Sequence, residues 1–517
     1  ERALLLLDQY RKKASLYRSN NVLAPLGDDF RYQTLDEAEN QFTNYQKLFD
    51  YINNHVPGVR VQFGTLSEYF QATMATEFRP PILKGSFFTY ADMRKHYWSG
   101  YFTSRAFDKA LDRKLERVIY AASALGCSHQ ELQMERRALS LFQHHDGVTG
   151  TAKDFVVEDY ASRIHAAIES AQEKIAQRLL QYPVVASIGV GSSLQPCWKS
   201  NEPRGLSQNV CGSMNPKRGI VLYNPAKTQQ RCGKTIVRSQ SVAMAQLPCE
   251  VPGSLQASAA GIRFDEHGLM VHPFREEWMV WNVRGGGAYL FFPKKLNAYS
   301  MNEKDVDHDG FVVSTGEWKR TVVEKEVVTS DGGSSTAIVI DFIYETDLQN
   351  TNEEWFVRFS TDIANDGVFH TDLNGYNFDT HYFRKDMPIQ SQVFPMPTHA
   401  SIEDSHQRLT ILSEHAQGTA SLQDGSIDVW LDRRLGQDDG KGLGEGVMDN
   451  VPTRTRFRVV LEKSGYVHDD AEFTITPFAK QMWDELNHPL EMFHQVDASS
   501  EINQQKQTPS PIDFKTE

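Results

Sequence analysis

Over the first 75 or so residues, short apolar runs alternate with segments whose apolar positions recur every three or four residues. Val22 to Leu26 is one such run, ending at Gly27-Asp28-Asp29, and Val59 to Phe63 is another. Runs of this length bounded by turn residues predict buried strands. Between them Thr34 and Glu37 have capping-box spacing, and Ala38, Phe42, Tyr45, Phe49 and Ile52 follow at helical period. Thr65 and Glu68 repeat the capping signal ahead of Tyr69 and Phe70. Strand, helix, strand, helix predicts the C-terminal part of a parallel β/α domain over residues 1–85.

From about Ser104 to Leu180 the period is helical throughout. Phe107, Leu111, Leu115, Val118, Ala122 and Leu125 form one stripe, stopped by Gly126. Leu132, Ala138, Leu139 and Phe142 suggest a second helix, and Tyr160, Ile164, Ile168, Ala171, Ile175 and Leu179 a third. Three helices with short links predict a three-helix bundle over residues 86–190. Gly, Ser and Pro crowd the next stretch, so 191–218 reads as a linker. After Ile220 the texture turns to β-branched and aromatic runs such as Thr321 to Val328, Ala337 to Tyr344, Trp355 to Phe359, Ile427 to Leu431 and Phe457 to Leu461. Turn signals such as Asp331-Gly332-Gly333 and Asp424-Gly425 separate them, which predicts large antiparallel β-sandwich domains over 219–465. Residues 466–517 read as a partial C-terminal segment with a polar, disordered tail. The expected class is multi-domain α+β.

Composition narrows the function. In a chain of 517 residues, a formal charge of -13 argues against a nucleic-acid binder, which would carry a basic face. No run approaches the roughly 18 apolar residues of a membrane span; Leu4 to Leu7 is ended by Asp8 and Arg11. Four of the five cysteines (Cys197, Cys211, Cys232, Cys249; the fifth is Cys127) fall close together. That spacing suits either two local disulfides or scattered free thiols. No N-x-[ST] glycosylation signal occurs.

Three places could carry chemistry. Asp28 and Asp29 follow a predicted strand, where α/β folds place catalytic acids, although a polar loop reads the same way. His144, His145 and Asp146 lie between two predicted helices and are zinc-ligand types, but one loop cannot close a site. Trp98 and Tyr289 are flanked by glycines and could face a sugar ring or simply pack in the core.

Taken together and in order, these segments resemble glycoside hydrolase family 38. The matching stretches are Pro25-Leu-Gly-Asp-Asp-Phe-Arg-Tyr32, Phe87 to Asp92, Tyr97 to Arg105, Phe142 to Lys153, Gly287 to Pro293, Phe369 to Gly375, Leu431 to Leu435 and Gly446 to Asn450. The wording of Gly27 to Tyr32 and of His144 to Thr151 is similar to the Golgi α-mannosidase II branch. The resemblance implies retaining hydrolysis of α-mannosides of N-glycans, with Zn2+ as cofactor and a Golgi lumenal setting; lysosomal or secreted placement is the alternative. By motif, Asp29 is expected as the general acid/base and His145 as a zinc ligand. Asp146, Tyr289, Trp98, Asp92 and Lys441 are expected at the mannose. Lys441 stands where the family often has arginine.

Two segments of the family pattern are absent from these residues. One carries two further zinc ligands, the other the nucleophile aspartate, and both are expected upstream of Glu1 together with a membrane anchor. The stretch from Tyr223 to Tyr289 is also shorter than the family usually has. A carbohydrate-binding remnant without turnover is therefore the alternative function.

Overall fold

A computed structural model describes residues 1–76, 79–186, 192–211, 219–232, 235–245, 262–299, 307–308, 312–324, 337–463 and 475–497. The chain divides into two compact units, Glu1–Lys84 and Gly85–Glu517.

The first unit is built on helices α1 (Arg2–Ala14), α2 (Leu35–His55) and α3 (Leu66–Met74). Ala3 and Leu7 of α1 pack on Ile52 of α2, with Leu48, Val56, Val59 and Val61 around them. The α3 capping box is complete in both directions. At α2 only half of it forms: Thr34 accepts the Glu37 N–H. The Glu37 carboxylate turns instead to the Arg31 Nε (2.5 Å) and the Tyr32 N–H (2.9 Å).

The strands expected at Val22–Leu26 and Val59–Phe63 do not form, and no parallel sheet exists among the described residues of this unit. Over Val59–Phe63 the backbone is bonded differently at Val61. Its N–H and C=O are both taken by the side-chain amide of Asn53, at 2.8 Å each, where a neighbouring strand would otherwise bond.

After a short hairpin, Ala91–Met93 with His96–Tyr97, the second unit continues with α4 (Ala106–Ala124), α5 (Gln133–Phe142) and α6 (Asp154–Leu179). Leu115, Val118, Leu132, Phe142, Ile164, Ala171 and Ile175 share one core, so the helical stripes read from sequence point inward. That core is completed by a four-stranded sheet in the order Ser192–Pro196, Glu491–Asp497, Ile220–Asn224, Ser241–Ala245. Leu194, Val221, Tyr223 and Phe493 of that sheet lie against the helices.

The stretch expected as a linker thus contains an ordered edge strand. It is fastened by the Cys197–Cys211 disulfide, with 5.1 Å between Cα atoms. Glu491–Asp497, from the segment expected to be partial, is an inner strand of the same sheet. Composition missed both because what orders them is pairing with distant strands. Cys232 is also disulfide-bonded and Cys127 is a buried free thiol, while Cys249 and the tail 498–517 lie outside the described residues.

Two larger sheets follow, and every described pairing in them is antiparallel. The six-stranded one runs Pro293–Ala298, Arg275–Val283, Glu353–Ser360, Ser426–Arg434, Gln417–Ala420, Phe394–Met396. The nine-stranded one includes Trp318–Glu324, Ile338–Thr346, Thr453–Lys463 and Gln407–Ser413. Side-chain alternation divides the six-stranded sheet's residues cleanly. Trp278, Val280, Trp355 and Val357 face a core shared with Phe342, Tyr344, Phe457 and Val459 of the larger sheet. Met279, Trp281, Phe356 and Trp430 face the other way, onto Phe102 and Phe291. Arg458 crosses the larger sheet to Asp341 at 2.7 Å, so a buried charge there is paired. The whole is an α+β architecture. Among the described residues no helix is long and apolar enough to cross a membrane.

Trp355 is fully buried where the two sheets meet. Trp355→Ala is expected to cost about 3–5 kcal/mol. Urea unfolding should show a lowered midpoint with an unchanged slope.

Candidate functional site

The second core of the six-stranded sheet supports two segments, Trp98–Ser104 and Gly286–Phe291, and the loop between α5 and α6 meets them. That loop is tightly wound: Gly147 N–H donates to His144 O at 2.7 Å and Val148 N–H to Phe142 O at 2.8 Å. A Cβ at Gly147 would stand 2.5 Å from Phe142 O, so only glycine closes the turn. Asp112 of α4 anchors the loop's first residue, accepting Gln143 Nε2 at 2.9 Å.

Within the loop, Asp146 is the hub. Its Oδ1 accepts from Thr151 Oγ1 at 2.9 Å and from the Tyr289 hydroxyl at 3.2 Å. Its Oδ2 lies 3.4 Å from His144 Nε2, and the rings of His144 and His145 are 4.5 Å apart. Burial, with the Asp146 carboxylate beside it, pushes the Tyr289 phenol up to about 12. Tyr289 therefore keeps its proton and remains a hydrogen-bond donor at neutral pH.

The Tyr289 backbone is held on both sides. Its N–H and that of Leu290 both donate to Asp439 Oδ2 at 2.8 Å, and its carbonyl accepts from Gly100 N–H at 3.0 Å. Trp98 sets its ring edge-on to Tyr289, 5.1 Å between centroids. The Trp98 indole N–H donates to Asp92 Oδ1 at 3.0 Å, and Lys441 Nζ donates to Asp92 Oδ2 at 2.6 Å. The Lys441 ammonium also lies 6.0 Å from the Trp98 ring centroid. Burial works against the Asp92 charge, but Lys441 and the Trp98 indole outweigh it and hold that carboxyl below its usual range. Lys441 thus reaches this cluster through Asp92.

Asp92, Trp98, His145, Asp146, Tyr289 and Lys441 are accordingly drawn to one part of the second unit. Asp29 belongs to the first unit, where it is exposed and its N–H donates to Asp28 Oδ1 at 2.9 Å. Sequence reasoning did not single out Thr151, Asp439 or Ser104. Thr151 and Ser104 lie inside motifs that carried the resemblance, and Asp439 sits two residues before Lys441.

His144, His145 and Asp146 are the group of potential metal ligands among the described residues, with ligand atoms all within 4.8 Å of one another. Two imidazoles and a carboxylate suit zinc, so by donor type and proximity the loop fits part of a zinc site. Thr151 and Tyr289 both engage Asp146 Oδ1, which leaves Asp146 Oδ2 and the two imidazoles as the loop's available donors. A tetrahedral site needs further ligands from elsewhere.

Three family descriptions match the chain: the glycosyl hydrolases family 38 N-terminal domain over residues 1–93, the alpha mannosidase middle domain over 96–181, and the family 38 C-terminal domain over 286–441. Together they cover well over half of it. The chain belongs to glycoside hydrolase family 38. It is similar to alpha-mannosidase 2 of Arabidopsis thaliana, at 30% identity over 92% of this chain and 52% of that protein. Against alpha-mannosidase 2 of Homo sapiens the identity is 32%, over 91% of this chain and 52% of the relative. The chain therefore spans about half the length of these family 38 relatives. The first alignment runs over 616 positions against a chain of 517 residues, so that relative carries segments this chain lacks. In fold, an alpha-mannosidase from Enterococcus faecalis V583 superposes with a TM-score of 0.57 at 13% identity, over 88% of this chain and 64% of that one.

Asp112, which anchors the histidine loop, has a buried carboxyl that desolvation pushes up to about 7 against the pull of Arg113 and Gln143. In the unfolded chain it ionises near 4. Between about pH 4 and 7 the unfolded state releases a proton that the folded state keeps, so stability falls as pH rises. Asp112→Asn is expected to remove that fall, on the order of 4 kcal/mol across the window. Urea unfolding of both proteins at pH 4 and pH 8 measures it.

Proposed function

We propose that this chain is part of a retaining, zinc-dependent α-mannosidase that trims α-1,3 and α-1,6 mannose from N-glycans in the Golgi lumen. What supports it most is the meeting of Asp146, Tyr289 and Trp98 in a family 38 chain. A carboxylate and a phenol 3.2 Å apart offer an acceptor and a donor to neighbouring hydroxyls of one sugar. The Trp98 ring supplies an apolar wall for the face of the pyranose.

In this reading Asp146 and Tyr289 hold and orient the mannose hydroxyls. Asp29 gives its proton to the leaving glycosidic oxygen and later takes one from water. The attacking carboxylate comes from a family segment outside these 517 residues. A bound zinc, with His145 among its ligands, would hold sugar hydroxyls and favour ring distortion. The Cys197–Cys211 disulfide suits an oxidising lumen.

A second reading, sugar binding without turnover, needs only Asp146, Tyr289 and Trp98, which meet within the second unit. One assay separates the two, using p-nitrophenyl α-mannoside with the 517-residue chain and with a form extended to the length of the relatives. The extended form is expected to hydrolyse it and to lose activity to a chelator. Asp29→Asn in that form should lower kcat by about 10²-fold or more while leaving bound zinc unchanged. If neither form turns over substrate but the chain binds methyl α-mannoside, the second reading holds. If neither turns over and neither binds, both readings fail.

A further inference from the structure

We propose that Arg433 is a positioning residue for the sugar site: from inside the six-stranded sheet its guanidinium fixes the turn that carries Tyr289. The proposal rests on reading Tyr289 and Asp146 as sugar-binding.

Arg433 lies near the end of strand Ser426–Arg434 and is fully buried. Its Nη1 donates to Ser104 Oγ at 2.9 Å, Gly287 O at 2.8 Å and Ala288 O at 3.2 Å. Its Nη2 donates to Leu290 O at 2.9 Å and to Glu354 Oε1 at 2.5 Å. Three carbonyls of the four-residue segment Gly287–Leu290 thus converge on one side chain. The fourth, that of Tyr289, is turned the other way onto Gly100 N–H. This pattern fixes the orientation of the turn, and with it the direction in which the Tyr289 ring leaves the backbone.

Burying an arginine in a sheet is expensive unless its charge is paired. Glu354 supplies the counter-charge and is itself held by the Trp430 indole N–H at 3.0 Å. The chain also makes room for the guanidinium. A Cβ at Gly100 would stand 2.2 Å from Arg433 Nη1, so the Trp98–Ser104 segment can lie over it only with glycine there. A charge kept only to balance Glu354 would need no acceptors on Gly287, Ala288 and Leu290. A planar fork reaches several carbonyls at once, which a lysine ammonium cannot do from the same place.

Arg433→Ala would leave Glu354 buried and unpaired and is expected to unfold the unit. The test therefore uses Arg433→Lys, which keeps the charge and removes the fork. Two measurements are made on the 517-residue chain, on Arg433→Lys, on Tyr289→Phe and on the double variant. The first is amide hydrogen exchange of the peptide containing residues 286–291. The second is calorimetric titration with methyl α-mannoside. Arg433→Lys is expected to speed exchange at the Tyr289 turn and to weaken mannoside binding about tenfold. That weakening should disappear in the Tyr289→Phe background, because Arg433 acts through the Tyr289 hydroxyl. Unchanged exchange, or an equal loss of affinity in both backgrounds, overturns the proposal. If the unsubstituted chain binds no mannoside, the sugar-site reading fails by itself. Exchange then decides the positioning role, faster exchange upholding it and unchanged exchange overturning it.

Discussion

Burial of the six-stranded sheet on both faces is the constraint on which the rest of the second unit depends. One face meets the nine-stranded sheet through Trp278, Trp355 and Phe342. The other meets Phe102 and Phe291 through Trp281, Phe356 and Trp430, so the segments around Trp98 and Tyr289 rest on a packed layer rather than on solvent. A strand buried on both faces cannot shed its polar side chains into water. Each one kept must be paired, as Arg358 is with Asp428 at 2.6 Å and Arg433 with Glu354. The polar residues of this sheet are thereby available to brace what lies above it.

The cluster of Asp146, Tyr289 and Trp98 follows from that bracing. Asp146 comes from a helix-to-helix loop, Tyr289 from a turn after a strand and Trp98 from the segment before α4. No single element could place a carboxylate, a phenol and an indole so close. Each is fixed by groups behind it: Asp112 under Gln143, Asp439 under the Tyr289 N–H, and Asp92 under the Trp98 indole. Held side chains of this kind lose little freedom when a ligand arrives, which favours binding.

Much of this was legible in the sequence where the signal is local. The α4 and α6 stripes appear as read, because 3.6-residue periodicity needs no partner to reveal which face is apolar. The strands Ile338–Thr346 and Thr453–Lys463 extend the apolar runs seen at Ala337–Tyr344 and Phe457–Leu461. What failed was non-local. Val22–Leu26 has strand composition but gains no ladder, whereas Ser192–Pro196 looks like a linker and acquires one from Glu491–Asp497. At the site, His145, Asp146 and Tyr289 stood out through the motifs they share with family 38. Arg433 lies in the shared stretch Leu431 to Leu435 but carried no expected role, because an arginine in a strand reads as solvent-facing until the second buried face is known.

The most direct test is a crystal structure of the 517-residue chain with methyl α-mannoside. The account predicts the sugar's hydroxyls on the Asp146 carboxylate and the Tyr289 hydroxyl, with one face of the ring against Trp98. Mannoside bound elsewhere, with Asp146 and Tyr289 still bonded only to each other, would contradict it.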